Sequence, residues 1–141
     1  MLQPKKLKYR KQFRLRGNKN RRFAKNGTTI AFGKFGIKAT SQGQVTSRQI
    51  EAARRAISRQ IKRGGQVWIR IFPQIPVTGK SGEVPMGSGK GSVQYYVADV
   101  EPGRILFEIE YEDSEVACKA LELAIYKLPI QAKVVEKGVI Y

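Results

Sequence analysis

Two glycine–lysine triplets carry the most recognisable chemistry in the chain, because a glycine-rich turn with a lysine can hold the phosphates of a nucleotide. The Gly-Lys-Ser triplet at 79–81 follows a hydrophobic segment, but the Walker pattern needs glycine where the chain has Gln74. Pro85 also prevents the helix whose N-terminus would bind the phosphate. The Gly-Lys-Gly triplet at 89–91 fails as well, because Val84 stands in place of the leading glycine. Neither triplet predicts a nucleotide-binding loop.

Nucleophilic and metal chemistry lack their usual residues. The chain contains no histidine, so neither a serine nor the single Cys118 has a histidine to activate it, and a metal ion has no imidazole ligand. Five of the eleven acidic residues cluster between Glu108 and Glu115, where a loop and a helix cap account for them. We therefore predict that the protein is not an enzyme and has no metal site, no cofactor and no small-molecule substrate. A phosphate-loop nucleotidase is the rival within the enzyme class.

Basic residues dominate the chain and concentrate at one end. Its 141 residues include 27 Lys+Arg and 11 Asp+Glu, a net charge of +16. The first fifty residues hold fourteen of these cations and no acid, whereas residues 105–141 hold four lysines and seven acids. Because unbalanced charge repels itself in a compact chain, this pattern predicts a polyanionic partner. No apolar run approaches the ~20 residues of a membrane span, so we predict no membrane partner.

Residues 1–27 form a basic N-terminal arm, for which three interpretations are open: an organellar targeting peptide, a solvated tail, or an arm that orders against phosphates. Targeting peptides are rich in serine, yet the first serine is Ser41. Tyr9, Phe13 and Phe23 interleave with the cations. Aromatic faces stack on unpaired bases while lysine and arginine follow the phosphates, so this interleaving favours a nucleic-acid-binding arm.

The strongest helix signal lies between a Thr-x-x-Gln capping box that begins at Thr46 and the glycines at 64–65. One side of this helix is apolar, with Ile50, Ala53, Ile57 and Ile61. An ordinary solvated face could explain the cations on the other side, but Glu51 is the only acid among six bases. We interpret that side as a phosphate-facing ridge. Its members are Arg48, Arg55, Arg59, Lys62 and Arg63.

The remaining pattern predicts six strands and a second helix. Gln66–Phe72 is nearly continuous in apolar residues and predicts a buried central strand with Trp68 in the core. Ser114 is the expected cap of a helix over Glu115–Leu128, with Val116, Ala120, Leu123 and Ala124 on its apolar face. The other predicted strands are Thr28–Phe32, Phe35–Thr40, Ser92–Val100, Ile105–Glu110 and Ile130–Lys137, the third and fourth forming a hairpin.

These elements predict an α+β globular domain over residues 28–141. We expect a mixed, largely antiparallel sheet with two helices packed on one face, in addition to the basic N-terminal arm and a Gly-rich loop. That loop, residues 79–91, has five glycines in thirteen positions. It is equally well interpreted as a flexible surface loop or as one whose backbone N–H groups and two lysines contact phosphates.

Several segments resemble large-subunit ribosomal proteins of the L-sixteen family, relatives of the archaeal and eukaryotic L-ten-e type. They are the opening Met-Leu-Gln-Pro-Lys-Lys-x-Lys-Tyr-Arg-Lys, Ser-Arg-Gln-Ile-Glu-Ala-Ala-Arg-Arg-Ala at 47–56, Trp-Ile-Arg-Ile-Phe-Pro at 68–73, and Met-Gly-Ser-Gly-Lys-Gly at 86–91. The match runs in order across nearly the whole chain, and Lys-Leu-Pro-Ile at 127–130 fits the family's end.

The resemblance implies a structural constituent of the large ribosomal subunit that binds 23S-type rRNA, supports subunit assembly and adjoins neighbouring large-subunit ribosomal proteins. It implies a cytoplasmic location, with an organelle that translates its own copy as the alternative. The residues expected to bind rRNA are Lys5, Lys6, Lys8, Arg10, Lys11, Arg14, Arg16, Arg21, Arg22, Arg48, Arg55, Arg59, Lys62 and Arg63.

The resemblance also implies that the Gly-rich loop approaches the peptidyl-transferase region and contacts A-site tRNA, with P-site tRNA as a further candidate. The loop residues concerned are Lys80, Met86, Gly87, Ser88, Gly89, Lys90 and Gly91. Pro85 stands where the family usually has arginine, and the stretch 17–27 is longer than usual. From the charge alone, a free nucleic-acid chaperone or architectural DNA binder is the rival binding protein.

Overall fold

The computed structural model describes residues 2–14, 23–62 and 64–139, with seven strands and two helices in them. The elements are β1 (Phe35–Ala39), β2 (Gly43–Thr46), α1 (Ser47–Ile61), β3 (Gln66–Ile69), β4 (Ile75–Gly79), β5 (Ser92–Val100), β6 (Ile105–Glu110), α2 (Ser114–Ile125) and β7 (Ala132–Glu136). All strand pairs among the described residues are antiparallel. The predicted α+β class is confirmed.

The strands divide into two sheets rather than the single sheet expected. One sheet has the order β3-β6-β1-β7 and the other the order β2-β5-β4. The strand β4 is not among the predicted strands, because it contains Pro76 and proline usually ends a strand. Here β4 lies at the edge of its sheet, where the missing N–H of Pro76 interrupts no ladder.

The predicted β5–β6 hairpin is wrong. β6 lies between β1 and β3 in the four-stranded sheet, while β5 lies between β2 and β4 in the other. Both positions beside β6 are therefore filled, and the turn at 101–104 carries the chain from one sheet to the next. Gly103 adopts φ +95° in this turn, and its N–H donates to the carbonyl of Ala39 at 2.7 Å.

Helix α1 matches its prediction because its signals are local. The Thr46 hydroxyl accepts from the Gln49 N–H at 3.2 Å, and the Gln49 side chain accepts from the Thr46 N–H at 2.9 Å. Lys62 ends the helix in the left-handed region, with φ 50°. The buried residues are the four predicted ones, Ile50, Ala53, Ile57 and Ile61.

Helix α2 differs from its prediction at both ends and in its buried face. Asp113, not Ser114, is the N-cap, and the helix ends at Ile125 rather than Leu128. Leu123 is 39% exposed, and the buried residues are instead Ala117, Ala120, Leu121 and Ala124. The small alanine side chains on this face allow α2 to approach α1, β1 and β7 closely. A prediction that looks for large apolar side chains does not find this face.

The two helices pack against each other on one face of the four-stranded sheet, as predicted. Ile37 and Phe107 are paired across β1 and β6 and are fully buried. The opposite face carries Gly36 and Glu108, and residues 24–33 cover it without forming a strand. The predicted strand Thr28–Phe32 is wrong, because its last N–H groups donate to a buried side chain rather than to a neighbouring strand.

The strand β3 is an edge strand, so its prediction as the buried central strand is wrong. It ends at Ile69 rather than Phe72, and Trp68 is only half-buried. The central buried strand is β6, whose first five residues are all buried. An apolar run indicates a strand that contacts a core, but it does not tell which neighbours the strand has.

Candidate nucleic-acid interface

The outer side of α1 carries an exposed cationic ridge. Glu51 is its only acid, and it accepts from Arg54 Nη2 at 2.5 Å and from Arg55 Nε at 3.2 Å. The hydrogen bond from Arg54 lowers the pKa of Glu51 to about 2, and Arg55 acts in the same direction. The four described members of the predicted ridge are all exposed; these are Arg48, Arg55, Arg59 and Lys62.

The ridge encloses a shallow depression at the C-terminal half of α1. Its lining is Arg54, Arg55, Ser58, Arg59 and Lys62, four cations and one neutral residue. Arg54 lies outside the predicted ridge; it lines the depression as well and is paired with Glu51 at i, i+3. Arg63, the remaining predicted ridge residue, lies outside the described residues. One carboxylate cannot neutralise this set, so the depression favours an anion.

The structure describes the N-terminal arm over residues 2–14 and 23–27. Leu2 packs against the hydrophobic core, and Arg14 Nη2 donates to Gln44 Oε1 at 2.8 Å. Five of its predicted cations are exposed, namely Lys5, Lys6, Lys8, Arg10 and Arg14, and Lys11 is half-buried. Within the described ranges, none of these cations forms an ion pair with a carboxylate. Arg16, Arg21 and Arg22 lie outside the described residues.

Exposed aromatic rings accompany these cations. Tyr9, Phe13 and Phe23 are 63%, 94% and 72% exposed, respectively. The Lys8 Nζ atom lies 5.4 Å from the centroid of the Tyr9 ring. The aromatics of the arm therefore present open faces beside positive charge, the arrangement that stacking on unpaired bases requires.

The Gly-rich loop joins β4 to β5, and residues 80–90 are all exposed. Lys80 Nζ donates to the Gly87 carbonyl at 2.5 Å. Gly87 and Gly89 have φ values of 107° and 97°, and a Cβ atom on either would meet nothing within 4 Å. Glycine is favoured at these two positions by the positive φ and not by a lack of room for a side chain. The side chain of Met86, at the tip of the loop, is fully exposed.

The structure brings the arm and the Gly-rich loop together, which the sequence does not indicate. Lys90 Nζ donates to the Gln12 carbonyl at 2.7 Å, and Lys11 Nζ donates to the Lys90 carbonyl at 3.1 Å. Lys90 Nζ also lies 5.3 Å from the centroid of the Phe13 ring. Two segments predicted as separate binding elements thus form one continuous basic surface.

A cluster that the sequence prediction missed lies on the sheet face opposite the helices. Glu108 is fully buried, and its carboxylate accepts from the N–H groups of Phe32 at 2.6 Å, Gly33 at 2.9 Å and Ala31 at 3.1 Å. Arg70 donates to the same carboxylate. Burial alone would raise the pKa of Glu108, but the N–H groups and Arg70 outweigh burial and hold the pKa below its ordinary value.

Alternation along β6 assigns Glu108 to the outward face, so pattern reasoning places it in solvent. The available signal is its position between the apolar neighbours Phe107 and Ile109 in a strand buried on both sides. A charged residue there needs donors, and the chain supplies them from residues 31–33 and from Arg70.

The single thiol is poorly suited to nucleophilic chemistry. Burial raises the pKa of Cys118, and the negative charges of Glu122 and Glu136 raise it further, so the thiolate is disfavoured. Across residues 2–14, 23–62 and 64–139, no group of three His, Cys, Asp or Glu side chains is arranged to hold a metal ion. No helix in this part of the chain has the length and apolar character to cross a bilayer.

An α+β domain with a basic arm, a cationic helix ridge and an exposed glycine-rich loop has the charge distribution typical of proteins that bind polyanions. The family model described as "Ribosomal protein L16p/L10e" matches residues 4–135, and the chain belongs to this family. The resemblance inferred from the sequence is confirmed, and membership of a ribosomal-protein family confirms that the protein is not an enzyme.

Bacterial relatives align with nearly the whole chain. Proteins named "Large ribosomal subunit protein uL16" from Francisella tularensis subsp. novicida (strain U112) and Francisella philomiragia subsp. philomiragia are each 56% identical over 139 residues. The alignments cover 99% of this chain and 99% of each relative. The expected location in the large ribosomal subunit agrees with the name of these relatives.

Proposed function

We propose that the protein is a structural constituent of the large ribosomal subunit, in the cytoplasm, that binds 23S-type rRNA and adjoins other large-subunit proteins. Family membership supports the ribosomal role, and one structural observation carries the RNA-binding part: the exposed cations of the arm and the ridge greatly outnumber the carboxylates near them. Lysine and arginine side chains with free donors are the groups that bind phosphate oxygens and displace condensed counterions.

The two basic elements have different parts in this proposal. The ridge on α1 is held rigidly by a capped helix whose opposite face is core, so it suits a fixed duplex backbone. The arm, residues 1–27, is proposed as an rRNA-binding segment distinct from the 28–141 domain, and its aromatic rings suit unpaired bases. An element that spans several RNA segments would support subunit assembly by holding them in register.

The Gly-rich loop is proposed to contact A-site tRNA near the peptidyl-transferase region, with P-site tRNA as a further candidate. Its support is geometric. The loop projects from the β4–β5 pair with exposed backbone, left-handed residues at 87–89, and Lys80 and Lys90 near its two ends. Exposed backbone N–H groups and two lysines can bind phosphates. Because the loop has few large side chains, its surface can fit tRNA in different conformations.

Binding of 23S-type rRNA at several salt concentrations tests the electrostatic part of the proposal. Neutralisation of roughly six to ten phosphates predicts that log K falls with log salt at a slope of about −5 to −9. Replacing Arg55, Arg59 and Lys62 together by glutamine should make the slope less steep by about two to three. The matched control replaces the exposed Lys119, Lys127 and Lys137 of the acidic segment 105–141, and the slope should stay unchanged.

Two further measurements separate the proposal from its rivals. Duplex DNA that competes equally with 23S-type rRNA at the same salt would favour the DNA-binding alternative. Sedimentation of a cell extract should place the protein in large-subunit fractions, and recovery only from the light fractions would contradict a ribosomal location.

A further inference from the structure

The cluster around Glu108 holds an aromatic ring at the surface. The rings of Phe32 and Trp68 are stacked, with centroids 5.9 Å apart and an interplanar angle of 21°. The guanidinium carbon of Arg70 lies 5.2 Å from the centroid of the Phe32 ring. Despite these two contacts, Phe32 is 58% exposed. The structure therefore holds an exposed aromatic ring in contact with a second ring and a cation.

Trp68 and Arg70 are alternate residues of one extended segment, so their side chains lie on the same side of it. Both side chains contact the Phe32 ring, yet Phe32 stays more than half exposed. An exposed aromatic ring is a surface on which one planar ligand can stack.

Hydrogen bonds to a buried carboxylate fix the backbone that carries Phe32. A fully buried carboxylate accepts from the N–H of Phe32 and from the N–H groups of both flanking residues, Ala31 and Gly33. A Cβ at position 33 would lie 2.4 Å from the Ile109 carbonyl oxygen, so only glycine allows the segment to approach β6 this closely. Such pre-organisation lowers the entropic cost of binding a ligand on the ring.

The charge around the ring selects the kind of ligand. Arg104 Nη2 donates to the Arg70 carbonyl at 3.4 Å, which places a second guanidinium group beside Arg70. The nearby acids are already engaged, since Glu108 binds four donors and Glu110 pairs with Lys34 at 3.1 Å. One open ring beside cations suits a nucleobase, whereas a stable protein interface needs about 800 Å² on each side.

We propose that Phe32, supported by Trp68 and Arg70, is a stacking platform for one unpaired base of RNA. This inference rests on the proposed RNA-binding function, and it adds a site outside the arm, the ridge and the Gly-rich loop. Stacking is tolerant of base identity because every base has a π-face. The platform therefore contributes affinity without neutralising a phosphate.

Trp68 is the single tryptophan of the chain, so its fluorescence reports on this site alone. The full chain is titrated with an oligoadenylate of about twelve nucleotides, a length within the usual range of single-strand sites. An abasic strand with the same number of phosphates is the matched ligand control. Quenching of Trp68 emission by the oligoadenylate, and none by the abasic strand, is expected. Binding of the oligoadenylate with unchanged emission would overturn the platform.

Substitution at Phe32 gives the second readout. Phe32→Leu should weaken oligoadenylate binding by about 5- to 100-fold, the loss of one stacked base, and Phe32→Tyr should restore it. The slope of log K against log salt should stay the same in both variants, because no phosphate contact is removed. Tyr126→Leu is the matched control, since Tyr126 is 83% exposed at the far end of α2 and its loss should not change affinity.

The outcomes separate this inference from the proposed function. If wild-type protein binds 23S-type rRNA with the steep salt dependence but Phe32→Leu binds oligoadenylate as tightly as wild type, the platform is wrong and the proposed function stands. If wild-type protein shows no salt-dependent binding to 23S-type rRNA, the proposed function itself fails. If Phe32→Leu does not fold, by circular dichroism, the quenching of wild-type Trp68 decides the question.

Discussion

Replacing Glu108 by glutamine tests the buried cluster that holds residues 31–33 against the sheet. The carboxylate uses Oε1 for Ala31 and Arg70, and Oε2 for Phe32 and Gly33. A glutamine amide can offer an acceptor on one side only, and its NH₂ group then faces the donors of the other side. At least one pair of these donors therefore loses its acceptor.

The cost follows from burial. Breaking a buried charged pair by removing one partner costs about 3 to 5 kcal/mol. The Arg70 side chain keeps 21% exposure, so water can solvate part of its charge. We therefore expect Glu108→Gln to lower the free energy of unfolding by about 3 kcal/mol, the lower end of that range. With an m-value near 2 kcal/mol per molar, the urea midpoint should fall by about 1.5 M.

Urea unfolding followed by far-ultraviolet circular dichroism measures this change, since that signal does not depend on Trp68. The control is Glu110→Gln, which removes an exposed pair with Lys34 and should cost less than about 1 kcal/mol. Equal midpoints for wild type and Glu108→Gln would refute the reasoning, because the four donors would then be satisfied without a carboxylate.

Three further predictions concern pH, the Gly-rich loop and the arm–loop contact. The pKa of Glu108 is lowered in the folded protein, so the ionised carboxylate stabilises the fold above the ordinary carboxyl pKa, and this stabilisation is lost as pH falls through the lowered pKa. We therefore expect the urea midpoint of Glu108→Gln to fall less than that of wild type between pH 5 and pH 3. Gly89→Ala should cost about 1 kcal/mol because φ is +97°, whereas Gly82→Ala, which has open space and no such φ, should cost less than about 0.5 kcal/mol; equal shifts in thermal unfolding would contradict this. Lys90→Ala removes the donor to the Gln12 carbonyl, so hydrogen exchange in residues 11–14 should accelerate. Large subunits that contain this variant should assemble normally but accommodate A-site tRNA poorly. Normal tRNA accommodation would refute the assignment of the loop.

The arm–loop contact has a functional consequence for the proposed role. Lys11 and Lys90 each donate to the backbone of the other segment. If RNA displaced the arm, these hydrogen bonds would break and the Gly-rich loop would be free to change its orientation. The rRNA-binding and tRNA-binding parts of the proposal are therefore coupled through one pair of lysines, although they are 79 residues apart in the chain.

Local features were predictable because neighbouring residues alone determine them. The cap at Thr46, the four buried residues of α1 and its end before Gly64 depend on spacing within eighteen residues or so. The same is true of the exposed cations of the ridge, which follow from the period of the helix once its apolar side is known. The α2 face was misplaced because alanines give a weak hydrophobic pattern.

The amino-acid sequence by itself determined the α+β class, helix α1, the concentration of positive charge toward the N-terminus and the family to which the chain belongs. Only the tertiary structure decided that β5 and β6 lie in different sheets, that Glu108 is buried under residues 31–33, and that the arm meets the Gly-rich loop. The physical reason is sequence separation. A hydrogen bond between residues 75 or more positions apart leaves no periodicity in the chain, because its energy depends on how the sheets and helices pack rather than on neighbouring residues.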